Sequence, residues 1–126
     1  MKILQYLGVA LLMACATAAQ AVEVKPYSAE ALAQAQKANQ PVALHFRADW
    51  CPTCRVQDKL IDAMKTESGL DVTVLAVNYD TEKDLKSRFN VRSQSTLVVL
   101  RGVKETGRSV GDTTAAGLRS ALKSAL

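Results

Sequence analysis

Two cysteines near the middle of the chain, Cys51 and Cys54, have the spacing of a redox-active pair. They follow a short apolar segment, residues 42–46, that is typical of a buried strand, and they precede a helical pattern over residues 56–64. The first N–H groups of a helix lack partners and carry partial positive charge, which stabilises a thiolate and lowers its pKa. The second cysteine can then close a disulfide and expel a bound partner. The motif therefore indicates thiol–disulfide exchange.

The first 21 residues are predicted to be a signal peptide rather than part of the fold. Met1 and Lys2 give a short basic start, residues 3–19 are mostly apolar and small, and residues 19–21 have the small-x-small form of a signal-peptidase site. We expect export across the inner membrane of a bacterium, a periplasmic location, and one mature domain over residues 22–126.

The third cysteine, Cys15, lies within this leader. Residues 12–15 resemble a lipobox, the motif at which bacterial lipoproteins are cut and lipidated, although Met13 is unusual in it. Two outcomes remain open: Cys15 leaves with the signal peptide, or it anchors the protein as a lipoprotein. In both cases Cys51 and Cys54 are the redox pair of the mature domain. A disulfide between them would close too short a loop to stabilise the fold much, so we expect the pair to be redox-active rather than structural.

The composition is that of one ordinary globular domain. The chain has 126 residues, of which 48% are hydrophobic and 22% charged, with a net charge of +4. Its 16 basic residues are scattered among 12 acidic ones, whereas nucleic-acid binding would need a clustered basic face. We therefore expect no nucleic-acid partner.

The remaining sequence predicts alternating strands and helices that would position the cysteine pair. Strands are expected at residues 22–25, 42–46, 72–77, 96–101 and 104–110, and helices at 29–39, after Cys51 to about 66, from about 81 to 90, and from about 114 to 126. The predicted helix N-caps are Ser28, Thr81, and either Thr113 or Thr114. The early elements fit parallel βαβ units, and the last two strands fit a hairpin. We predict an α/β fold, a mixed central sheet of four to five strands with helices on both faces.

Several segments together resemble the thioredoxin family over essentially residues 22–126. They are the strand and cysteine turn at 42–55 (VALHFRADWCPTCR), the strand end at 77–80, the loop at 91–97, and the hairpin glycines Gly102 and Gly111. The sequence Ala-Asp-Trp-Cys at 48–51 is especially similar to the periplasmic thioredoxin-like domain of membrane reductant transporters. A thioredoxin-like fold is what this resemblance implies.

The resemblance also implies roles for the residues of the turn. Cys51 would be the nucleophile and Cys54 the buried resolving thiol. Trp50 would lie beside the site, where it could shield the sulfurs from water; the alternative is an ordinary core aromatic residue. Pro52 and Thr53, between the cysteines, would tune the thiolate.

Three positions depart from the family pattern. Ser95, followed by Thr96, stands where the family has a cis-proline facing the cysteines, and we expect a trans bond there because a non-proline cis bond costs about 2.5–4 kcal/mol. His45 replaces the buried acid, either as a base or as a hydrogen-bonded buried histidine. Ala76 replaces the lysine that partners that acid.

The expected function is that of an exported thiol–disulfide oxidoreductase that reduces protein disulfides. Electrons would come from a membrane thiol reductant transporter, and no bound cofactor is needed. The alternative is a metal-binding or copper-delivery protein, because two thiolates are soft ligands that suit Cu(I) or, with further ligands, Zn²⁺.

Overall fold

Five strands form one mixed sheet in the computed structural model, which describes residues 21–126. The strands are β1 (Glu23–Pro26), β2 (Pro41–Arg47), β3 (Thr73–Asn78), β4 (Thr96–Arg101) and β5 (Lys104–Val110). Their order is β1-β3-β2-β4-β5, with β1, β3 and β2 parallel and β4 and β5 antiparallel to their neighbours. The predicted mixed sheet is confirmed. The signal peptide predicted over residues 1–21 falls, apart from its last residue, outside the described residues, as does Cys15.

Within residues 21–126, four helices connect and cover the strands. They are α1 (Ala29–Lys37), α2 (Pro52–Ala63, followed by a 3-10 turn at Met64–Thr66), α3 (Lys83–Arg88) and α4 (Ala115–Lys123). Ser28 caps α1 and Thr114 caps α4, each accepting a backbone N–H three residues on. The predicted cap at Thr81 is wrong. Thr81 lies in a turn in which it and Glu82 both donate to the Asn78 carbonyl, so α3 begins only after Glu82.

The helices pack on both faces of the sheet, as expected. Strand residues alternate between faces, so β2 presents Val42, Leu44 and Phe46 to one side and Ala43 and His45 to the other. The first side is covered by α1 and α3, through Leu32 and Leu85. The second is covered by α2 and α4, through Ile61, Leu118 and Leu122.

Strand β2 lies at the centre of this arrangement and determines where the cysteines lie. It is buried along nearly its whole length, with β3 on one side and β4 on the other. Its carboxyl end leads through a short turn, residues 48–51, directly into α2. The N-terminus of α2 therefore lies at the end of the central strand, next to the segment that enters β4.

Candidate active site

Cys51 and Cys54 form a disulfide at the N-terminus of α2, with their Cα atoms 5.2 Å apart. Cys51 is the N-cap residue, and its Sγ accepts a hydrogen bond from the Cys54 backbone N–H at 3.1 Å. Pro52 begins the helix at a position where no intrahelical N–H is lost. Both cysteines are buried, Cys51 at 2% and Cys54 at 0% exposure. The sulfur of Cys51 thus occupies the place where a helix favours negative charge.

Ser95 brings a hydroxyl group to both sulfurs. Its Oγ lies 3.2 Å from Cys51 Sγ and 3.1 Å from Cys54 Sγ, and the residue is 4% exposed. The bond between Gln94 and Ser95 is trans, as predicted. Ser95 has a φ of 63°, in the left-handed region that side chains other than glycine rarely adopt. A proline, whose φ is held near about −65°, could not take this backbone conformation.

Gln57, one turn after Cys54, is fully buried and links three parts of the fold. Its Nε2 donates to the Ser95 carbonyl at 3.1 Å and to the Asp112 carbonyl at 2.9 Å. Because both amide hydrogens are used, its Oε1 is the atom that faces His45 Nε2, at 2.8 Å. Sequence reasoning missed this residue. The sequence signal for it is a polar residue at helical spacing between Cys54 and Ile61, the buried residues of α2.

His45, on the central strand β2, is buried at 3% exposure. Since Gln57 Oε1 can only accept, His45 Nε2 donates, and the other ring nitrogen, Nδ1, faces Asp58 Oδ1 at 3.6 Å. Burial lowers the pKa of His45 below its ordinary value of 6.5, and nearby Arg47 lowers it further; the Gln57 hydrogen bond and the Asp58 carboxylate oppose this shift. At neutral pH this shift favours the neutral ring, whose proton then lies on Nε2. Its ring nitrogens contact Gln57 and Asp58 rather than a sulfur.

An ion-pair network of Arg47, Asp49 and Asp58 borders His45. Arg47 donates through Nε to both carboxylate oxygens of Asp58 at 3.0 Å, and its Nη1 lies 2.9 Å from Asp49 Oδ1. A cavity of about 400 Å³ opens here, lined by His45, Arg47, Asp58 and Lys59 among others. Ala76, directly opposite His45 in the β2–β3 register, also lines it. The small side chain at residue 76 leaves this space open beside the imidazole.

The other predicted site residues lie around the pair. Trp50 is 58% exposed, and its Nε1 donates to Asp80 Oδ2 at 2.8 Å, so the alternative of a core aromatic residue is wrong. Pro52 is exposed and Thr53 is half-buried. Thr96 is buried, and its Oγ1 donates to the Ser93 carbonyl at 2.8 Å, which braces the loop that carries Ser95. The structure thus brings Ser95 to the sulfurs and places Trp50 at the surface.

Residues 21–126 contain neither a membrane-spanning helix nor a cluster of side chains suited to a metal ion. No helix in this range is long and apolar enough to cross a membrane. In the same range, no group of three or more His, Cys, Asp or Glu side chains is arranged to hold a metal ion. The cysteine pair therefore has no third ligand of these types among the described residues.

A buried pair of disulfide-bonded cysteines at a helix N-terminus, following the central strand of a mixed five-stranded sheet, defines a thioredoxin-like domain. The family model described as thioredoxin matches residues 22–124. The chain belongs to the thioredoxin family.

Comparisons with individual proteins agree with this assignment. The chain is 32% identical to thioredoxin of Mycobacterium tuberculosis over 73 residues, which cover 58% of this chain and 63% of that protein. Among solved structures it is similar to Trxlp from Edwardsiella tarda, with a TM-score of 0.73, 36% identity, and coverage of 79% of this chain and 98% of that one. Oxidised thioredoxin O2 from Arabidopsis thaliana has a TM-score of 0.67 and 26% identity, with coverage of 82% and 93%. The matched region spans slightly less than two thirds of the mycobacterial relatives.

Proposed function

We propose that this protein is a thiol–disulfide oxidoreductase that reduces disulfides in partner proteins through Cys51 and Cys54. The observation that carries the proposal is the Cys51–Cys54 disulfide at the N-terminus of α2, within a domain of the thioredoxin family. The reaction needs no bound cofactor, because the pair itself can store and release two electrons.

The exchange proceeds in two balanced steps. In the first, the Cys51 thiolate attacks a partner disulfide, a Cys51–partner bond forms, and one partner sulfur leaves as a thiolate that takes a proton from water. In the second, Cys54 loses its proton and attacks Cys51 Sγ. The Cys51–Cys54 bond forms, the Cys51–partner bond breaks, and the second partner sulfur leaves and is protonated. The partner gains two electrons and two protons, and the pair is oxidised.

The surroundings of Cys51 favour it as the first nucleophile. Its sulfur is the one that receives the Cys54 backbone N–H at the positive end of the α2 dipole. Pro52 and Trp50, its neighbours in sequence, are exposed and offer a surface to an approaching partner. Cys54 is fully buried, which suits a thiol that acts only within the mixed disulfide.

The trapping test uses a matched pair of variants. Cys54→Ser retains the first nucleophile and is expected to accumulate covalent adducts with disulfide-containing proteins. Cys51→Ser should form none. Adducts are resolved by non-reducing electrophoresis and mass spectrometry. The mechanism fails if the Cys54→Ser variant traps nothing under conditions in which the unmodified protein reduces insulin disulfides, or if both variants trap equally.

The reducing direction and the electron donor form a second part of the proposal. The similarity of residues 48–51 to the periplasmic domain of membrane reductant transporters supports a protein that receives electrons from such a transporter. The Cys51–Cys54 reduction potential, measured by equilibration with glutathione, tests the direction. We expect a value in the range of thioredoxin, near about −270 mV, whereas a value near about −120 mV would indicate an oxidant.

Export of the protein to the periplasm is the third part, and the leader pattern of residues 1–21 supports it. The test is expression of the full chain in a Gram-negative host, followed by fractionation and mass measurement of the mature N-terminus. A periplasmic product that begins near Val22 is expected. A product that begins with a lipidated Cys15 would favour the lipoprotein alternative, which Cys15→Ser would abolish. An uncleaved cytoplasmic product would contradict export.

A further inference from the structure

The Ser95 hydroxyl lies between the two sulfurs at nearly equal distances, 3.2 Å from Cys51 Sγ and 3.1 Å from Cys54 Sγ. In the disulfide neither sulfur carries a proton, so the hydroxyl is the only group that can donate in either contact. A hydroxyl has only one hydrogen and gives it to the better acceptor. A thiolate accepts far more strongly than a disulfide sulfur, because hydrogen bonds to charged groups are the strong ones. The position of Ser95 therefore lets its hydrogen bond follow the negative charge between the sulfurs.

The two sulfurs do not depend on this hydroxyl equally. Cys51 Sγ also receives the Cys54 backbone N–H at 3.1 Å. For Cys54 Sγ, the polar contact found among residues 21–126 is Ser95 Oγ alone. Cys54 is fully buried, and a buried charge is costly unless it is hydrogen-bonded. Loss of the hydroxyl should therefore impair Cys54 more than Cys51.

Gln57 holds Ser95 in this position. Ser95 has a left-handed φ and its hydroxyl faces the sulfurs. Its carbonyl is fixed by Gln57 Nε2 at 3.1 Å and by the Gly111 backbone N–H at 2.9 Å. The Gln57 amide is itself anchored by the Asp112 carbonyl and by His45. These hydrogen bonds fix the position of the Ser95 backbone relative to α2 and to the end of β5.

We propose that Ser95 is a catalytic residue whose hydroxyl donates a hydrogen bond first to the Cys51 thiolate and then to the Cys54 thiolate, and that Gln57 is its positioning residue. The inference rests on the proposed exchange reaction and deepens it. Ser95 keeps its proton throughout. The proton that Cys54 loses goes to water, and the electron pair of the Cys54 thiolate forms the new bond to Cys51 as the partner thiolate leaves.

The test separates attack from resolution. The reduced protein is mixed in a stopped-flow instrument with one equivalent of an aromatic disulfide, Ellman's reagent, that releases a coloured thiolate in each step. The first, concentration-dependent phase reports Cys51, and the second, unimolecular phase reports Cys54. Removing the hydroxyl should slow the second phase near pH 7 by about 10- to 100-fold, the range of a hydrogen bond to a charged group, and slow the first phase less.

Two substitutions at residue 95 separate the hydroxyl from the backbone. Ser95→Ala retains a side chain at a positive φ, and Ser95→Gly removes the conformational penalty there. Both should slow resolution alike and move the midpoint of its pH profile upward by about one to two units, with the wild-type rate recovered at high pH. Ser109→Ala is the matched control, because this buried hydroxyl has no partner within the described part of the chain. It should leave both phases unchanged.

Gln57→Leu tests the positioning role. It should raise the midpoint of the pH profile of the resolution rate by less than the Ser95 variants do. The double variant with Ser95→Ala should show the same midpoint as Ser95→Ala alone. Wild-type pH profiles in both Ser95 variants would overturn the catalytic role, and additive shifts in the double variant would overturn the positioning role. If the wild-type protein itself showed no second phase, the exchange function would fail, which is a separate result.

Discussion

The side-chain amide of Gln57 and the imidazole of His45 meet at 2.8 Å in the layer between α2 and the central strand. This contact assigns the proton of the neutral ring to Nε2, because the amide nitrogen of Gln57 is already committed to two carbonyls. It joins β2 to α2, and through the carbonyls of Ser95 and Asp112 to the segments on either side of the β4–β5 hairpin. One buried amide therefore holds together the elements that surround the cysteines.

Gln57→Leu should destabilise the oxidised protein. The substitution leaves a buried imidazole N–H and the Asp112 carbonyl without their partner, while the Ser95 carbonyl retains the Gly111 N–H. Each unsatisfied group costs about 1–3 kcal/mol, so for these two groups we expect the free energy of unfolding to fall by about 2–6 kcal/mol. Urea denaturation measures it. Lys59→Gln, at an exposed position on the same helix, is the control and should stay within about 0.5 kcal/mol of the wild type.

His45 should make stability depend on pH just below neutrality. Its pKa is lowered in the folded state by burial, so between that pKa and its ordinary 6.5 the unfolded chain binds more protons. Above pH 6.5 the ring is neutral in both the folded and the unfolded chain, and the free energy of unfolding has its full value. As the pH falls below 6.5, the free energy of unfolding decreases by up to about 1.4 kcal/mol per pH unit. Urea denaturation of the oxidised protein from pH 7.5 to 5.5 measures this slope.

His45→Gln provides the control for that slope. A glutamine can still donate to Gln57 but does not titrate, and His45 is the only histidine in the chain. The variant should have a clearly shallower pH dependence over the same range. Equal slopes in the two proteins would show that the neutral buried imidazole is not the source. The charged groups nearest the ring, Asp58 and Arg47, are retained in both proteins.

The fold could be predicted from the sequence because its signals are local. Buried strands such as β2 and β4 are recognisable as short continuous apolar segments of the sequence. The turn that contains Cys51 joins β2 to α2 within a few residues. The ends of the helices are harder to predict. Helix α4 ends at Lys123 rather than at the predicted Leu126, and Thr81 lies in a turn instead of capping α3. At such ends, turn hydrogen bonds compete with the helix for the same backbone groups.

The environment of the cysteines could be predicted only in part, because it depends on distant contacts. Ser95 was singled out by its place in the loop, but nothing local to a serine indicates a left-handed φ. Gln57 reads as an ordinary polar helix residue. Its burial requires carbonyls 38 and 55 residues further along the chain to fold over it. The sequence therefore predicts that Ser95 lies near the sulfurs, but it does not predict that the Gln57 amide holds Ser95 in place.

Trp50 should contribute little to stability despite its size. It is 58% exposed, and its principal polar contact is the surface hydrogen bond to Asp80. Trp50→Ala should therefore lower the free energy of unfolding by no more than about 1 kcal/mol, whereas Phe46→Ala, at a fully buried position, should lower it by about 3–5 kcal/mol. Thermal and urea denaturation of both variants measure this. Similar losses in the two would mean that Trp50 packs into the core in solution.

Restoring a proline at residue 95 should damage this protein, although its family places one there. Ser95 has a φ of 63°, whereas proline holds φ near about −65°, so the loop would have to leave the geometry that Gln57 and the Gly111 N–H now hold. We expect Ser95→Pro to lower the free energy of unfolding by about 3 kcal/mol or more, as is found where a proline is incompatible with the native backbone. Ser95→Gly, which suits a positive φ, should lose much less. Urea denaturation of the two oxidised variants measures their free energies of unfolding. A proline variant as stable as the glycine variant would mean that the loop accepts either backbone conformation.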